Sequence, residues 1–320
     1  MIILIIIFII SLVVLIKGAD LFLVSAERIG LALGLSPFIV GVTIVAIGTS
    51  FPELFTSMIA TFRGFTEIVP ANVIGSNIAN ILLIVGISAI IGKKISVTKN
   101  LIDIDLPLLA TGTAVMMIVI IPWGGEGLAK ITRLEAIILV ITYGAYFLYT
   151  IFHKDERHLE GKDDQPEKSK ISAKDIILLI IGIIALSLGA NYLIDSVVEI
   201  ATLMGIAVGV ISILAVAVGT SLPELMVSVR AALQKKPEVA LGNIFGSNIF
   251  NSFVVLGLPG IFREIYIDSP TLLIGFPVML LATLLFVISG ISRRIHNWEG
   301  IFFLSLYVLF VIKVIENSIG

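Results

Sequence analysis

Twelve residues, AIGTSFPELFTS at Ala46–Ser57, return as AVGTSLPELMVS at Ala217–Ser228. A second match follows each copy at the same distance, NVIGSNIAN from Asn72 and NIFGSNIFN from Asn243. The offset is 171 residues throughout: Gly48 to Gly219, Glu53 to Glu224, Asn80 to Asn251. Both copies place a carboxylate, hydroxyls, amides, glycines and a proline inside runs otherwise apolar enough to span a bilayer. Polar groups in hydrocarbon are costly to keep, and keeping the same set twice points to two half-sites.

The runs themselves define the class. The 320 residues are 58% hydrophobic and only 14% charged, with a mean hydropathy of +1.12. Soluble domains hold roughly 45–50% apolar and about 25% charged residues. Hydropathy and punctuation predict about ten transmembrane helices, over 2–32, 37–62, 67–91, 101–122, 132–153, 175–203, 207–234, 239–261, 268–290 and 297–317. The N-terminal run lacks a basic flank and a cleavage site, so it reads as a retained first helix. The one polar stretch, His153–Asp175, is mixed-charge and free of aromatics, and reads as a flexible linker.

An odd number of spans in each half makes the second half enter the membrane from the opposite side. The expected fold is therefore an all-α polytopic membrane protein of two inverted five-helix repeats, 1–153 and 175–320, joined by a linker over 154–174. The halves meet at broken helices around a central ion site. With the N-terminus outside, the cytoplasmic loops collect Arg28, Lys93, Lys94, Lys99, six basic linker residues, Lys235, Lys236, Arg293 and Arg294. The other side has Arg63, Lys130, Arg133 and Arg263. This bias predicts a cell-membrane protein with both termini extracellular and the linker cytoplasmic.

Composition also excludes. There is no basic patch with interleaved aromatics for nucleic acid. With zero cysteines, disulfides, thiolate zinc sites and thiol catalysis are ruled out. The three histidines, at 153, 158 and 296, fall in expected loops, away from any serine nucleophile, so an intramembrane enzyme is not expected. Neither a bound cofactor nor an obligate protein partner is expected; the surroundings are the lipid bilayer.

Gly48 and Pro52 predict a break in the second span, with carbonyls such as those of Ala46 and Thr49 loosened toward an ion. Ser50–Glu53 and Ser221–Glu224 also fit an S-x-x-E capping box. A neutral cap would serve more cheaply, because a charge at bilayer depth costs at least about 2.5–3.5 kcal/mol. Ion coordination is therefore the expected role, with capping beside it. Ser76 and Asn80, like Ser247 and Asn251, lie four residues apart on one helix face, joined by Asn72 and Asn243. Asn77 and Asn248 fall on another face. Gly75 and Gly246 read as packing residues. Lys17 and Asp20, at i and i+3, read as a local ion pair. Pooled, the two halves offer only hard oxygen donors, which suit Ca²⁺ and not zinc or copper, and two carboxylates balance one Ca²⁺ or attract a few Na⁺.

GTSFPEL with GSNIAN, repeated as GTSLPEL with GSNIFN, resembles the α-repeats of the sodium/calcium exchangers in the cation/calcium antiporter superfamily. The resemblance implies two inverted five-helix halves and alternating access at a central cation site. By that likeness Glu53 and Glu224 are the calcium ligands and also serve sodium, joined on calcium by the carbonyls of Thr49 and Thr220. Ser50, Ser221, Ser76 and Ser247, with the carbonyls of Ala46 and Ala217, would complete the sodium sites. Asn80 and Asn251 match the paired amide or acid positions. Some relatives carry Asp at the position of Asn251, linked to potassium use, so the asparagine implies potassium-independent exchange; GTS-x-PE implies sodium over protons, and the family's expected stoichiometry makes the exchange electrogenic. The alternatives are a proton/calcium antiporter and, further off, a cation channel.

Overall fold

The computed structural model describes residues 1–92, 94–96, 105–120, 129–152, 171–204, 219–292 and 294–319. Its helices are α1 (Ile2–Ala32), α2 (Pro37–Thr49), α3 (Phe51–Arg63), α4 (Ile68–Ile91), α5 (Asp105–Ile120) and α6 (Arg133–Phe152). They continue as α7 (Ala173–Leu203), α8 (Leu222–Leu233), α9 (Pro237–Phe262), α10 (Thr271–Ile291) and α11 (Asn297–Ile319). Four short strands accompany them: β1 (Lys94–Ser96), β2 (Lys130–Ile131), β3 (Ile265–Tyr266) and β4 (Arg294–His296).

Seven helices (α1, α4, α6, α7, α9, α10 and α11) are each long and apolar enough to cross a membrane, and α2 with α3 makes an eighth span bent by 40°. Of the ten expected spans, that of 101–122 is represented by the 16 residues of α5. The span expected over 207–234 falls largely outside the described residues, as does the linker. By length and composition the described residues thus hold seven candidate spans, or eight with the bent pair counted as one, and the shorter α5 beside them.

Helices α9 and α4 form the enclosed centre. Every residue of α9 from Val239 to Phe250 is buried. Close approach explains this: a Cβ added at Gly242 would lie 2.5 Å from the Phe38 carbonyl, and one at Gly41 would lie 2.7 Å from the Val239 carbonyl. Without a hydrophobic drive between helices in lipid, such small-residue contacts are what hold spans together. Outward-facing side chains such as Ile2, Ile5, Ile9, Ile141, Ile177 and Leu284 are exposed. On a soluble protein such a surface would aggregate; here it is the face that lipid covers.

Helices α1 and α7, equivalent under the 171-residue offset, pack antiparallel. Gly189 leaves room for Leu15, Gly18 for Ala185 and Leu186, and Gly182 for Phe22. The first two contacts are reciprocal, since Leu15 and Leu186 are counterparts, as are Gly18 and Gly189. The short strands also pair across the chain: β1 with β4 (Lys94 opposite His296) and β2 with β3 (Lys130 opposite Tyr266). His296 therefore lies in a strand and not, as expected, in a loop. Gly64, with φ of +91°, supplies the left-handed turn that ends α3.

The expected Lys17–Asp20 pair does not form. Asp20 instead receives Nε and Nη2 of Arg230, each at 2.7 Å, and Nε2 of Gln234 at 3.3 Å, while Lys17 is exposed. A bidentate guanidinium is the stronger partner, and α8 presents it from 210 residues away. Glu27 is likewise held by Lys236. Arg230→Ala is expected to lower stability by about 1–2 kcal/mol, read as an earlier melting transition of the detergent-solubilised protein, and Lys17→Leu to leave that transition in place.

Candidate functional site

The helical ladder of α2 stops at Ser50, and Ser221 takes the same backbone conformation at the start of α8. Ser50 has φ −87° and ψ 5°, and Ser221 has φ −87° and ψ 6°. Pro52 has no N–H, so the Gly48 carbonyl loses its helical donor. The ladder restarts with the Leu54 N–H on the Ser50 carbonyl at 3.2 Å and with Leu225 on Ser221 at 2.9 Å. Glu53 and Glu224 stand in the first turns of α3 and α8, where exposed N–H dipoles favour a carboxylate.

Neither serine caps its helix. The Ser50 hydroxyl donates across the halves to Glu224 Oε1 at 2.9 Å. The capping-box reading is thereby corrected: the pattern fits, but a tertiary partner takes the hydroxyl. Ser221 makes no equivalent bond, and its Oγ has no partner among the described residues. The Ala46 carbonyl is not loosened either, since it accepts the Ser50 N–H at 3.1 Å and faces the hydroxyls of Thr49 at 3.3 Å and Ser247 at 3.5 Å.

Glu53 and Glu224 are 0% and 1% exposed. Among the described residues, both Glu53 oxygens, Glu224 Oε2, Asn80 Oδ1 and Asn251 Oδ1 are buried without a hydrogen-bond donor. Buried acceptors normally find donors, because each orphan costs about 1–3 kcal/mol. Acceptors gathered from both halves with no N–H or O–H to meet them form a donor set for a cation. They comprise two carboxylates and neutral oxygens, and the described residues hold no group of three or more His, Cys, Asp or Glu placed for a metal.

Contacts around this set repeat under the offset. Ser76 Oγ lies 3.2 Å from Thr220 Oγ1, and its counterpart Ser247 lies 3.5 Å from Thr49. Asn80 Nδ2 donates to Asn248 Oδ1 at 3.4 Å, and Asn251 Nδ2 to Asn77 Oδ1 at 3.3 Å. Asn72 Nδ2 reaches the Glu53 carbonyl at 3.2 Å and Ser57 Oγ at 3.1 Å. Asn243 Nδ2 does the same to the Glu224 carbonyl at 3.5 Å and Ser228 Oγ at 2.9 Å. These asparagines brace each glutamate turn from behind.

Of the residues expected here, Glu53, Glu224, Thr49, Ser50, Ser221, Ser76, Ser247, Asn80, Asn251 and Ala46 are buried and Thr220 is half-buried. Ala217 lies outside the described residues. Sequence reasoning missed Asn77 and Asn248, whose amides bond the site asparagines, and Ser57 and Ser228. Asn77 and Asn248 both stand in regular α-helix, and it is their partners from the other half, Asn251 and Asn80, that draw them to the site. π-helical turns begin only after them, at Ala79 and at Asn251, and run to Ile84 and Val255. Gly246 packs as expected, against the Val42 carbonyl. Gly75 has no described neighbour within 4 Å of an added Cβ.

An apolar helical bundle that buries paired carboxylates beside broken helices is a multi-pass membrane transporter of ions. The sodium/calcium exchanger protein family model matches residues 3–152 and 174–315. The chain is 35% identical to the sodium/calcium exchanger MaX1 of Methanosarcina acetivorans, covering 96% of this chain and 97% of that one. It is 33% identical to the membrane protein MJ0091 of Methanocaldococcus jannaschii over 94% of this chain and 95% of that one. The solved sodium–calcium exchanger NCX_Mj, soaked with zero Na⁺ and Ca²⁺, superposes with a TM-score of 0.80 at 32% identity, covering 98% of this chain and 99% of the other. A more distant likeness, 24% identical over 64% of this chain and 51% of the relative, is to vacuolar cation/proton exchanger 1c of Oryza sativa. The chain belongs to the sodium/calcium exchanger family, whose members are antiporters and not enzymes.

Proposed function

We propose that the chain exchanges Na⁺ for Ca²⁺ by alternating access, without K⁺ and with net charge movement. Glu53 and Glu224 bind Ca²⁺ together with the carbonyls of Thr49 and Thr220. Ser50, Ser221, Ser76 and Ser247, with the carbonyls of Ala46 and Ala217, complete the Na⁺ sites, and the Asn80 and Asn251 oxygens stand beside the Ca²⁺ site. The observation that carries this reading is the pair of buried glutamates with three of four carboxylate oxygens lacking a donor among the described residues. A charge moved per cycle makes the rate voltage-sensitive by about 2.3 kcal/mol per 100 mV.

In the same reading the two halves, 1–153 and 175–320, are inverted repeats of five spans each, with the 154–174 linker cytoplasmic and both termini outside. The antiparallel packing of α1 on α7 and the strand pairing between halves support it.

The test is ⁴⁵Ca²⁺ uptake into proteoliposomes loaded with Na⁺, with K⁺ or with a pH gradient. Internal Na⁺ alone is expected to drive uptake. Uptake that requires a proton gradient and ignores Na⁺ would move the chain to the cation/proton exchangers. Flux with no counter-ion would make it a channel. Asn251→Asp adds a third carboxylate, and K⁺ is then expected to alter Na⁺-driven uptake; an unchanged cation profile would remove this position from K⁺ selection.

A further inference from the structure

A hydrogen-bond polarity runs from the main chain of α9 to one wall of the site. The Ser252 hydroxyl donates to the Asn248 carbonyl at 2.8 Å. A main-chain carbonyl only accepts, so the single hydroxyl proton is committed there and Ser252 Oγ can offer nothing but lone pairs elsewhere. Asn77 Nδ2 lies 3.0 Å from that oxygen, 3.4 Å from the Asn248 carbonyl and 3.9 Å from Met279 Sδ. With three acceptors on one side, the Asn77 amide has its nitrogen there and its Oδ1 on the other. That Oδ1 accepts from Asn251 Nδ2 at 3.3 Å. The Asn251 oxygen is then left over, buried and without a donor among the described residues.

The other half lacks this anchor. Asn80 Nδ2 donates to Asn248 Oδ1 at 3.4 Å, but the counterpart of Ser252 is Ile81, and Asn248 Nδ2 has no partner among the described residues. One site amide has its orientation dictated by the backbone, and the other does not.

We propose that Ser252 and Asn77 are positioning residues that lock the Asn251 amide with its oxygen, and not its NH₂, toward the cation. The proposal rests on the Na⁺/Ca²⁺ site reading above. An amide that flips would face a cation with two partly positive hydrogens, so orientation sets affinity. Neither Ser252 nor Asn77 touches the ion in this account.

The experiment measures KM and kcat for Ca²⁺ in Na⁺-loaded proteoliposomes for Asn77→Leu, Ser252→Ala and Ser252→Thr, each alone and combined with Asn251→Asp. Alone, the first two are expected to raise KM about tenfold, with kcat changing less than about threefold. Ser252→Thr keeps the hydroxyl and the native KM. Combined with Asn251→Asp, the same two changes are expected to cost less than about twofold relative to Asn251→Asp itself, because a carboxylate shows oxygen on both sides. Equal losses in both backgrounds, or no change in KM, would overturn the proposal. Ca²⁺-induced stabilisation of the purified protein in detergent follows the same pattern and decides the case if Asn251→Asp does not transport. Glu53→Gln, run alongside, separates the levels. If it transports normally, the site reading itself fails. If it is inactive while Ser252→Ala behaves as native, only the orienting role fails.

Discussion

Glu53→Gln and Glu224→Gln are each expected to abolish Na⁺-dependent Ca²⁺ uptake. Gln is nearly isosteric, so the change removes charge and leaves shape. Deleting one member of a buried charge cluster costs about 2–5 kcal/mol, or about 30- to 5,000-fold in affinity. Stability is expected to move the other way. Glu53 buries both oxygens with no donor among the described residues, so a neutral side chain removes a standing penalty. In cation-free detergent Glu53→Gln should melt no earlier than the parent, while the melting shift produced by Ca²⁺ disappears. Glu224 already accepts from Ser50, so Glu224→Gln gains less. Normal uptake by either variant would sink the site, and a lowered melting point in both would mean that the carboxylates serve the fold.

Gly246→Ala is expected to be nearly as damaging by a different route. A Cβ there would sit 2.2 Å from the Val42 carbonyl oxygen and 2.5 Å from Ala46 Cβ. Both neighbours belong to the rigid wall of α2, so no flexible side chain can swing aside. The helices must part, at a cost of about 1–3 kcal/mol or more. Val42 and Ala46 lie within two turns of Ser50, so the strain reaches the break that carries Ser50 and its bond to Glu224. The expected result is a melting point lowered by several degrees and uptake reduced at least about tenfold. Gly144, in α6, has no described atom within 4 Å of an added Cβ, and Gly144→Ala should be neutral or gain about 0.5–1 kcal/mol. Native behaviour of Gly246→Ala would contradict the close approach of α9 to α2.

Hydropathy located every span that lies among the described residues, because the lipid-facing surface leaves a run of apolar residues whatever the bundle does inside. Gly48 and Pro52 announced the break at Ser50 for local reasons that tertiary structure could not undo. The failures share one cause, the pull of partners far away in sequence. Ser50 and Glu53 look like a capping box until Glu224, 174 residues on, claims the hydroxyl. Lys17 and Asp20 look like a pair until Arg230 arrives in a fork. Asn77 looks turned away from the site until Asn251, 174 residues on, donates to its amide oxygen. Short motifs report the local choices of a backbone; a site built between two halves is decided by what the other half brings.

Where α1 packs on its counterpart α7, a patch meets a near copy of itself inside one chain, as patches do across the axis of a two-fold dimer. When a patch must fit a copy of itself, any change is made on both sides at once, and the two pockets it forms are bound to stay alike. Joined in one polypeptide, the halves are released from that obligation. Here Ser252 stands where the other half has Ile81, Asp20 where it has Asn191, and Ser50 bonds a glutamate while Ser221 does not. One polypeptide can thus surround two like motifs with unequal partners.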